Sequence, residues 1–155
     1  MLRKLSCFSP TIEDMKHIYI LYIRSVLEQS CVVWHSALTE DNSDALERVQ
    51  KSALKLILGT RYENYENALE LVNLEKLTDR REKLCLKFAK KCLQNEKTTD
   101  MFPKNKHKSN MKTRNPEEFK VNHANTDRYK NSAIPYMQRL LNDDSQTRTK
   151  VRRPG

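Results

Sequence analysis

Only two glycines, Gly59 and Gly155, occur in 155 residues. Tight hairpins need positions at positive φ, which glycine supplies without steric cost. A turn-rich β fold is therefore poorly served, and helix is the expected element. The composition is polar, 37% hydrophobic and 32% charged, enough for one core of modest size. No apolar run nears the roughly 18 residues of a membrane span. The N-terminal MLRKLSCFSP also lacks the apolar stretch of a secretory signal. The chain is expected to be intracellular, cytoplasmic or nuclear, not secreted and not bound in a membrane.

Periodicity predicts about four helices over residues 1–96. Leu2, Leu5 and Phe8 have helical spacing and look like the end of a helix that begins earlier in a longer protein. Ser9-Pro10 offers an N-cap and a first-turn proline, with Thr11 and Asp14 as an alternative cap. Ile12, Met15, Tyr19, Tyr22 and Val26 then recur at steps of three and four, with Ile18, Ile23 and Leu27 widening the stripe. Cys31–Trp34 is an unbroken apolar run that either extends this helix or forms a short extended piece. The absence of Pro and Gly favours helix to about Ser36. Thr39 to Asp44 is a loop of capping residues, and a second helix carries Leu46, Val49, Ala53, Leu56 and Ile57 up to Gly59. A short helix over Tyr65–Val72 ends at Asn73, and a fourth, from about Glu75 to Asn95, turns Leu77, Leu84, Cys85, Phe88 and Cys92 inward.

Charge changes the character of the chain after Glu96. Residues 1–96 hold 15 Lys and Arg against 14 Asp and Glu, while residues 97–155 hold 14 against 6. The expected organisation is a helical bundle over 1–96, then a basic, largely irregular extension over 97–155. That extension carries one short helix near 134–142, and its end after Asn142 is expected to be disordered. Lysine and arginine neutralise phosphates without needing a fixed fold. Candidate nucleic-acid contacts are Arg80, Arg81, Lys83, Lys87, Lys90 and Lys91 on the fourth helix, and Arg128, Tyr129 and Lys130 in the extension. Lys51 and Lys55 form a smaller stripe on the second helix. The expected ligands are RNA, single-stranded DNA or an RNA–DNA hybrid, held by their backbones.

Metal and catalytic chemistry find little support. Cys85 and Cys92 are seven residues apart, about 10 Å along a helix, too far to share one Zn²⁺ with its ~2.3 Å sulfur bonds. Cys31 and His35 are four apart, but no second pair lies near them in sequence. Reduced cysteines packed in a core are the expected outcome. No Gly-rich phosphate loop, HExxH or GxSxG occurs, and no cofactor is expected.

Four segments in order, LYIRSVLEQSCVVW (Leu21–Trp34), ALERVQKSALKLILGT (Ala45–Thr60), LVNLEKLTDRREKLCLKF (Leu71–Phe88) and RYKNSAIPYMQRLLN (Arg128–Asn142), together resemble the C-terminal part of the polymerase of non-LTR retrotransposons of the jockey-like kind. The likeness spans about residues 1–142 and is weakest over Lys97–Asn125. It implies the thumb and post-thumb region of an RNA-directed DNA polymerase, whose metal-binding aspartates belong to a palm upstream. No Tyr-x-Asp-Asp is present; Asp143 and Asp144 are adjacent but follow Leu141-Asn142. A chain lacking palm and fingers is not expected to polymerise, and those missing parts of a parent polymerase are themselves an implied partner. A helical protein–protein module and an inert remnant of the element are the alternative readings.

Overall fold

The chain is described by a computed structural model over residues 2–8, 10–105 and 119–151. Among these residues it is all-α: helices α1 (Leu2–Leu5), α2 (Ile12–Ile18), α3 (Ser25–Glu28), α4 (Cys31–Trp34), α5 (Glu40–Leu58), α6 (Tyr65–Val72), α7 (Leu77–Leu93), α8 (Asp127–Lys130) and α9 (Ala133–Val151), with no strand. An isolated antiparallel bridge joins Lys104 and Phe119. Two compact units result. Unit 1 takes Met1–Cys31 and Leu38–Glu82; unit 2 takes Val32–Ala37 and Lys83–Gly155. The division falls at Glu82 and not at Glu96, where the composition changes. Composition marks where apolar residues thin out, whereas a unit is made by contacts.

Unit 1 begins with the alternative cap. The Thr11 hydroxyl accepts from the Asp14 N–H at 3.2 Å, and the Asp14 carboxylate accepts from Thr11 in return, closing a capping box. Ser9 lies outside the described residues. The stripe expected to run through Tyr22 and Val26 is displaced. Met15 and Tyr19 are buried, but Tyr22 and Val26 are 59% and 67% exposed. Between α2 and α3 the backbone takes a π-helical course over Tyr19–Arg24. Its wider turn, with i→i+5 bonding, shifts the register by a residue. Ile23 and Leu27, expected to widen the stripe, are half-buried, and Arg24 and Glu28 join them.

The helix expected to reach Ser36 also breaks earlier. Gln29 leaves the helical region at ψ 123°, and Ser30 is left-handed at φ 52°. α5 starts sooner than expected, at Glu40, because Thr39 caps it by accepting from the Asn42 N–H at 3.3 Å. Its end matches expectation, with Gly59 at φ 54°. α6 ends as predicted too, on a left-handed Asn73.

The face that α5 buries is offset from the apolar one read in the sequence. Val49 is exposed and Leu46 half-buried; the fully covered positions are Glu47, Gln50, Ala53, Leu54, Ile57 and Leu58. Gln50 explains the offset. Its carbonyl accepts the Tyr19 hydroxyl at 2.6 Å, and its NH₂ donates to the Tyr65 hydroxyl at 3.0 Å and the Glu75 carbonyl at 2.8 Å. One turn earlier, the Glu47 carboxylate accepts the Tyr65 hydroxyl and the Leu77 N–H, the latter at 3.2 Å. Leu77 opens α7, so Glu47 satisfies a donor that the helix itself leaves orphaned, with charge of the favourable sign. Around these groups pack Leu2, Met15, Ala53, Leu54, Ile57, Leu58, Ala68, Leu69 and Val72.

Unit 2 has its own core of Cys85, Ala89, Cys92, Phe102, Phe119, Met137 and Leu141. Cys85 and Cys92 face inward as expected; Phe88 does not, and Ala89 takes that place. His35 meets Tyr136 edge to face at 5.7 Å. The segment expected to be irregular is so over much of its described part, apart from a 3₁₀ turn at Thr99–Met101 and the start of α8 at Asp127, and Phe102 and Phe119 anchor it. Two amides on one face of α9 hold it. The Asn142 amide accepts from the Phe119 N–H at 2.8 Å and donates to the Phe119 carbonyl at 3.0 Å. One turn earlier, Gln138 accepts from the Asn122 N–H at 3.0 Å and donates to the Met101 carbonyl at 2.9 Å. So anchored, α9 continues to Val151 instead of ending at Asn142. Residues 106–118 and 152–155, parts of the predicted extension, lie outside the described residues.

Two outcomes follow from these networks. Asn142→Leu leaves the Phe119 N–H and C=O buried without partners and should destabilise unit 2 by roughly 2–4 kcal/mol. Hydrogen exchange at the Phe119 amide should accelerate, and unchanged protection would contradict the role assigned to Asn142. Burial pushes the Tyr19 hydroxyl far above its ordinary value of 10.0, and burial plus the bond to Glu47 does the same for Tyr65. Above about pH 10 the unfolded chain releases phenolic protons that the folded chain retains, so stability falls with rising pH there and is unaffected by these groups below it. In a spectrophotometric titration of the six tyrosines, Tyr19 and Tyr65 should ionise only as the fold is lost.

Candidate nucleic-acid interface

The basic residues of α7 divide by what lies around them. Arg80 belongs to unit 1 and donates through Nε to Glu28 at 2.5 Å. Arg81 is fully buried, its guanidinium donating to the hydroxyls of Ser43 at 3.1 Å and Thr78 at 3.3 Å. Ser43 lies in the first turns of α5 and Thr78 in the first turn of α7, so Arg81 ties the starts of two helices together. A side chain wholly inside the unit has no surface to offer a phosphate. Arg81 therefore leaves the set of nucleic-acid contacts, and the paired arginines of LTDRREKL act first on the fold. Periodicity gives no warning of this, because an arginine in a helix is ordinarily read as solvent-facing.

Lys83, Lys87, Lys90 and Lys91 lie on the unit 2 part of α7, on the side away from Cys85, Ala89 and Cys92. Lys83, Lys87 and Lys91 are exposed. Lys90 is half-buried and its Nζ stands 2.9 Å from the Asp144 carboxylate on α9. A partly exposed pair of this kind contributes little net stability, but it removes some of the lysine's field from the surface. The adjacent acids Asp143 and Asp144 thus sit on a helix, with one of them engaged by a lysine. Arg128, Tyr129 and Lys130 form α8, capped by the Thr126 hydroxyl, and all three are exposed. The Tyr129 hydroxyl accepts from the Asn122 amide at 3.3 Å, which leaves the ring open for stacking. Arg139 donates to the Lys130 carbonyl at 2.9 Å and fixes the end of that turn.

The stripe on α5 has a different use. Lys51 lies over the Tyr65 ring at 4.9 Å and Lys55 over the Tyr62 ring at 5.4 Å, both cation–π contacts within unit 1.

Charge follows the structural units more sharply than the split at Glu96. Unit 2 holds 18 Lys and Arg against 7 Asp and Glu, a balance of +11; unit 1 holds 11 against 13, a balance of −2. Such a concentration favours polyanions at long range and without sequence preference. Compared with protein-family models, curated proteins and solved structures, the chain matches none.

These placements separate two kinds of variant. Arg81→Ala should cost roughly 2–4 kcal/mol in denaturant unfolding, because buried hydrogen bonds and packing are lost together. Lys87→Ala and Lys91→Ala should stay within about 0.5 kcal/mol of the parent. Equal costs for all three would place Arg81 at the surface.

Proposed function

We propose that the chain is a thumb-side, non-catalytic portion of an RNA-directed DNA polymerase of a transposable element, and that unit 2 holds nucleic acid by its backbone. The observation that carries this reading is the balance of +11 in unit 2, with Lys83, Lys87, Lys91, Arg128 and Lys130 exposed on its helices. The all-α architecture and the four segments quoted above support the polymerase resemblance. These cations reach phosphates and not base edges, so binding is weak and nearly blind to sequence. Tyr129 adds stacking on single strands, which is likewise tolerant of sequence. The chemistry of nucleotide addition belongs to the palm of the parent polymerase.

A second reading has its own observation. Leu21, Tyr22 and Val26 are close together in unit 1 and are exposed, Leu21 by 64%. This apolar surface suits a helical interaction module, whose affinity would be nearly indifferent to salt.

Binding titrations at several salt concentrations distinguish the two. If about four to six phosphates of a single strand are neutralised, log K should fall against log[salt] with a slope of roughly −3 to −4. Charge reversal at Lys83, Lys87 and Lys91 should flatten that slope. Reversal is the better instrument than deleting 97–155, which would also remove Phe102, Phe119, Met137 and Leu141 from the core. Binding that keeps its strength and ignores salt would sink the backbone reading.

A further inference from the structure

Unit 1 holds a close pair of guanidinium groups of its own. Arg24 ends the π-helical turn and Arg80 lies on α7, and both direct Nε toward the same Glu28 oxygen. They share it unequally. Arg80 makes a hydrogen bond at 2.5 Å, whereas Arg24 stands at 3.8 Å, beyond hydrogen-bond reach. The Arg24 side chain is only 14% exposed, and among the described residues its guanidinium donates no hydrogen bond. Arg80, at 34% exposed, leaves one side of the group open to solvent. Two like charges are thus held side by side over a single close carboxylate, with most of their donors unused.

Such an arrangement costs free energy. Burial and then the neighbouring Arg80 both lower the Arg24 pKa, against Glu28, Tyr19 and, most weakly, Glu75. An oxyanion bridging the two guanidiniums offsets that repulsion and uses the free donors. Planar guanidinium forks match tetrahedral oxyanions by paired N–H···O bonds. The backbone points the same way. A π-helical turn interrupts regular helix bonding and recurs at functional sites, and here it places Arg24 on the half-buried face that Glu28 continues.

We propose that Arg24 and Arg80 form a phosphate-binding site in unit 1, with Glu28 as the internal carboxylate that the incoming phosphate partly displaces. All three residues belong to unit 1. Its ligand is a phosphate group, carried either by a free phosphate or monoester or by a nucleic-acid backbone.

The test follows the Arg24 and Arg80 Nε–Hε resonances by NMR in the full chain, at constant ionic strength, as chloride is replaced by inorganic phosphate. In a second arm an oligothymidine with unphosphorylated ends is added, using the chain reversed at Lys83, Lys87 and Lys91. Saturable shifts of both resonances are expected, with affinity falling at least about tenfold in Arg24→Gln, as loss of a charge-assisted bond implies. Glu28→Gln removes the competing charge and should tighten phosphate binding severalfold; a purely structural carboxylate would not do so. Shifts in the first arm alone identify a free phosphate or monoester; shifts in both identify the backbone of a nucleic acid as well. Should Arg24→Gln fail to fold, the parent resonances and Glu28→Gln still decide the matter. No saturable shift in either arm, or phosphate affinity unchanged in Glu28→Gln, overturns the site. Neither outcome bears on the salt dependence of unit 2, so the two readings fail separately.

Discussion

Three buried amides, Gln50 in unit 1 and Gln138 and Asn142 in unit 2, carry the polar bonding on which both cores depend. A chain built from helices satisfies most backbone groups within each helix, but the connections between helices need partners from elsewhere. Gln50 reaches the connection before α7 through the Glu75 carbonyl, while also holding two tyrosine hydroxyls. Asn142 and Gln138 do the corresponding work for an irregular segment, binding Phe119, Asn122 and Met101 as a neighbouring strand would. An amide suits this task because it offers donor and acceptor on one rigid plane. Its burial is tolerable only while each bond is made, since an unpaired polar group inside costs as much as several apolar contacts gain. The apolar packing around these amides is therefore arranged to suit them.

This also explains which parts of the fold were legible in the sequence. Local signals were: the Thr11–Asp14 box, Gly59 at the end of α5, and α6 between Tyr65 and Asn73 each depend on residues within a few positions of one another. Cys85 and Cys92 were legible because an apolar period two turns long pointed them inward. The misreadings share one origin. Hydrophobic periodicity treats Glu47, Gln50, Arg81, Gln138 and Asn142 as solvent-facing, yet each is buried by partners distant in the chain. The same rule put Tyr22 and Val26 inside, because it assumes a constant turn and the chain widens one at Tyr19–Arg24. The end of α9 was missed for a related reason. DDSQTRTK has no apolar stripe, and the tethers that hold the helix lie earlier, at Gln138, Asn142 and Asp144.

For the candidate interface, sequence supplied charge and structure supplied access. Of the six basic residues singled out on α7, Lys83, Lys87 and Lys91 are solvent-exposed, Lys90 and Arg80 are half-buried beside Asp144 and Glu28, and Arg81 is enclosed. Residue type alone does not separate these fates. Chemistry does so in part, since the two arginines and not the lysines are the residues drawn into unit 1. A guanidinium is more weakly hydrated than an ammonium and spreads its donors over a plane, so it loses less on burial and gains more from hydroxyl and carboxylate partners. Lysine keeps its ammonium in water while its stem lies along the helix.

The separation of charge between the units then has an energetic consequence. Unit 1, at −2, brings several of its cations into local contacts: Arg80 with Glu28, Lys51 and Lys55 over tyrosine rings. Unit 2 has 18 cations against 7 acids, so pairs such as Lys90 with Asp144 leave most of the excess in place. Like charges spread over one small unit weaken its compact state. That cost is reduced by whatever brings negative charge to the surface, and a polyanion does so along its length while releasing its own counterions. The charge that opposes compaction of unit 2 is thus the same charge on which the proposed phosphate-backbone reading rests. On the proposed reading, a polyanion bound there would couple to folding through the field of the whole unit, with no need for any single residue to act as a site.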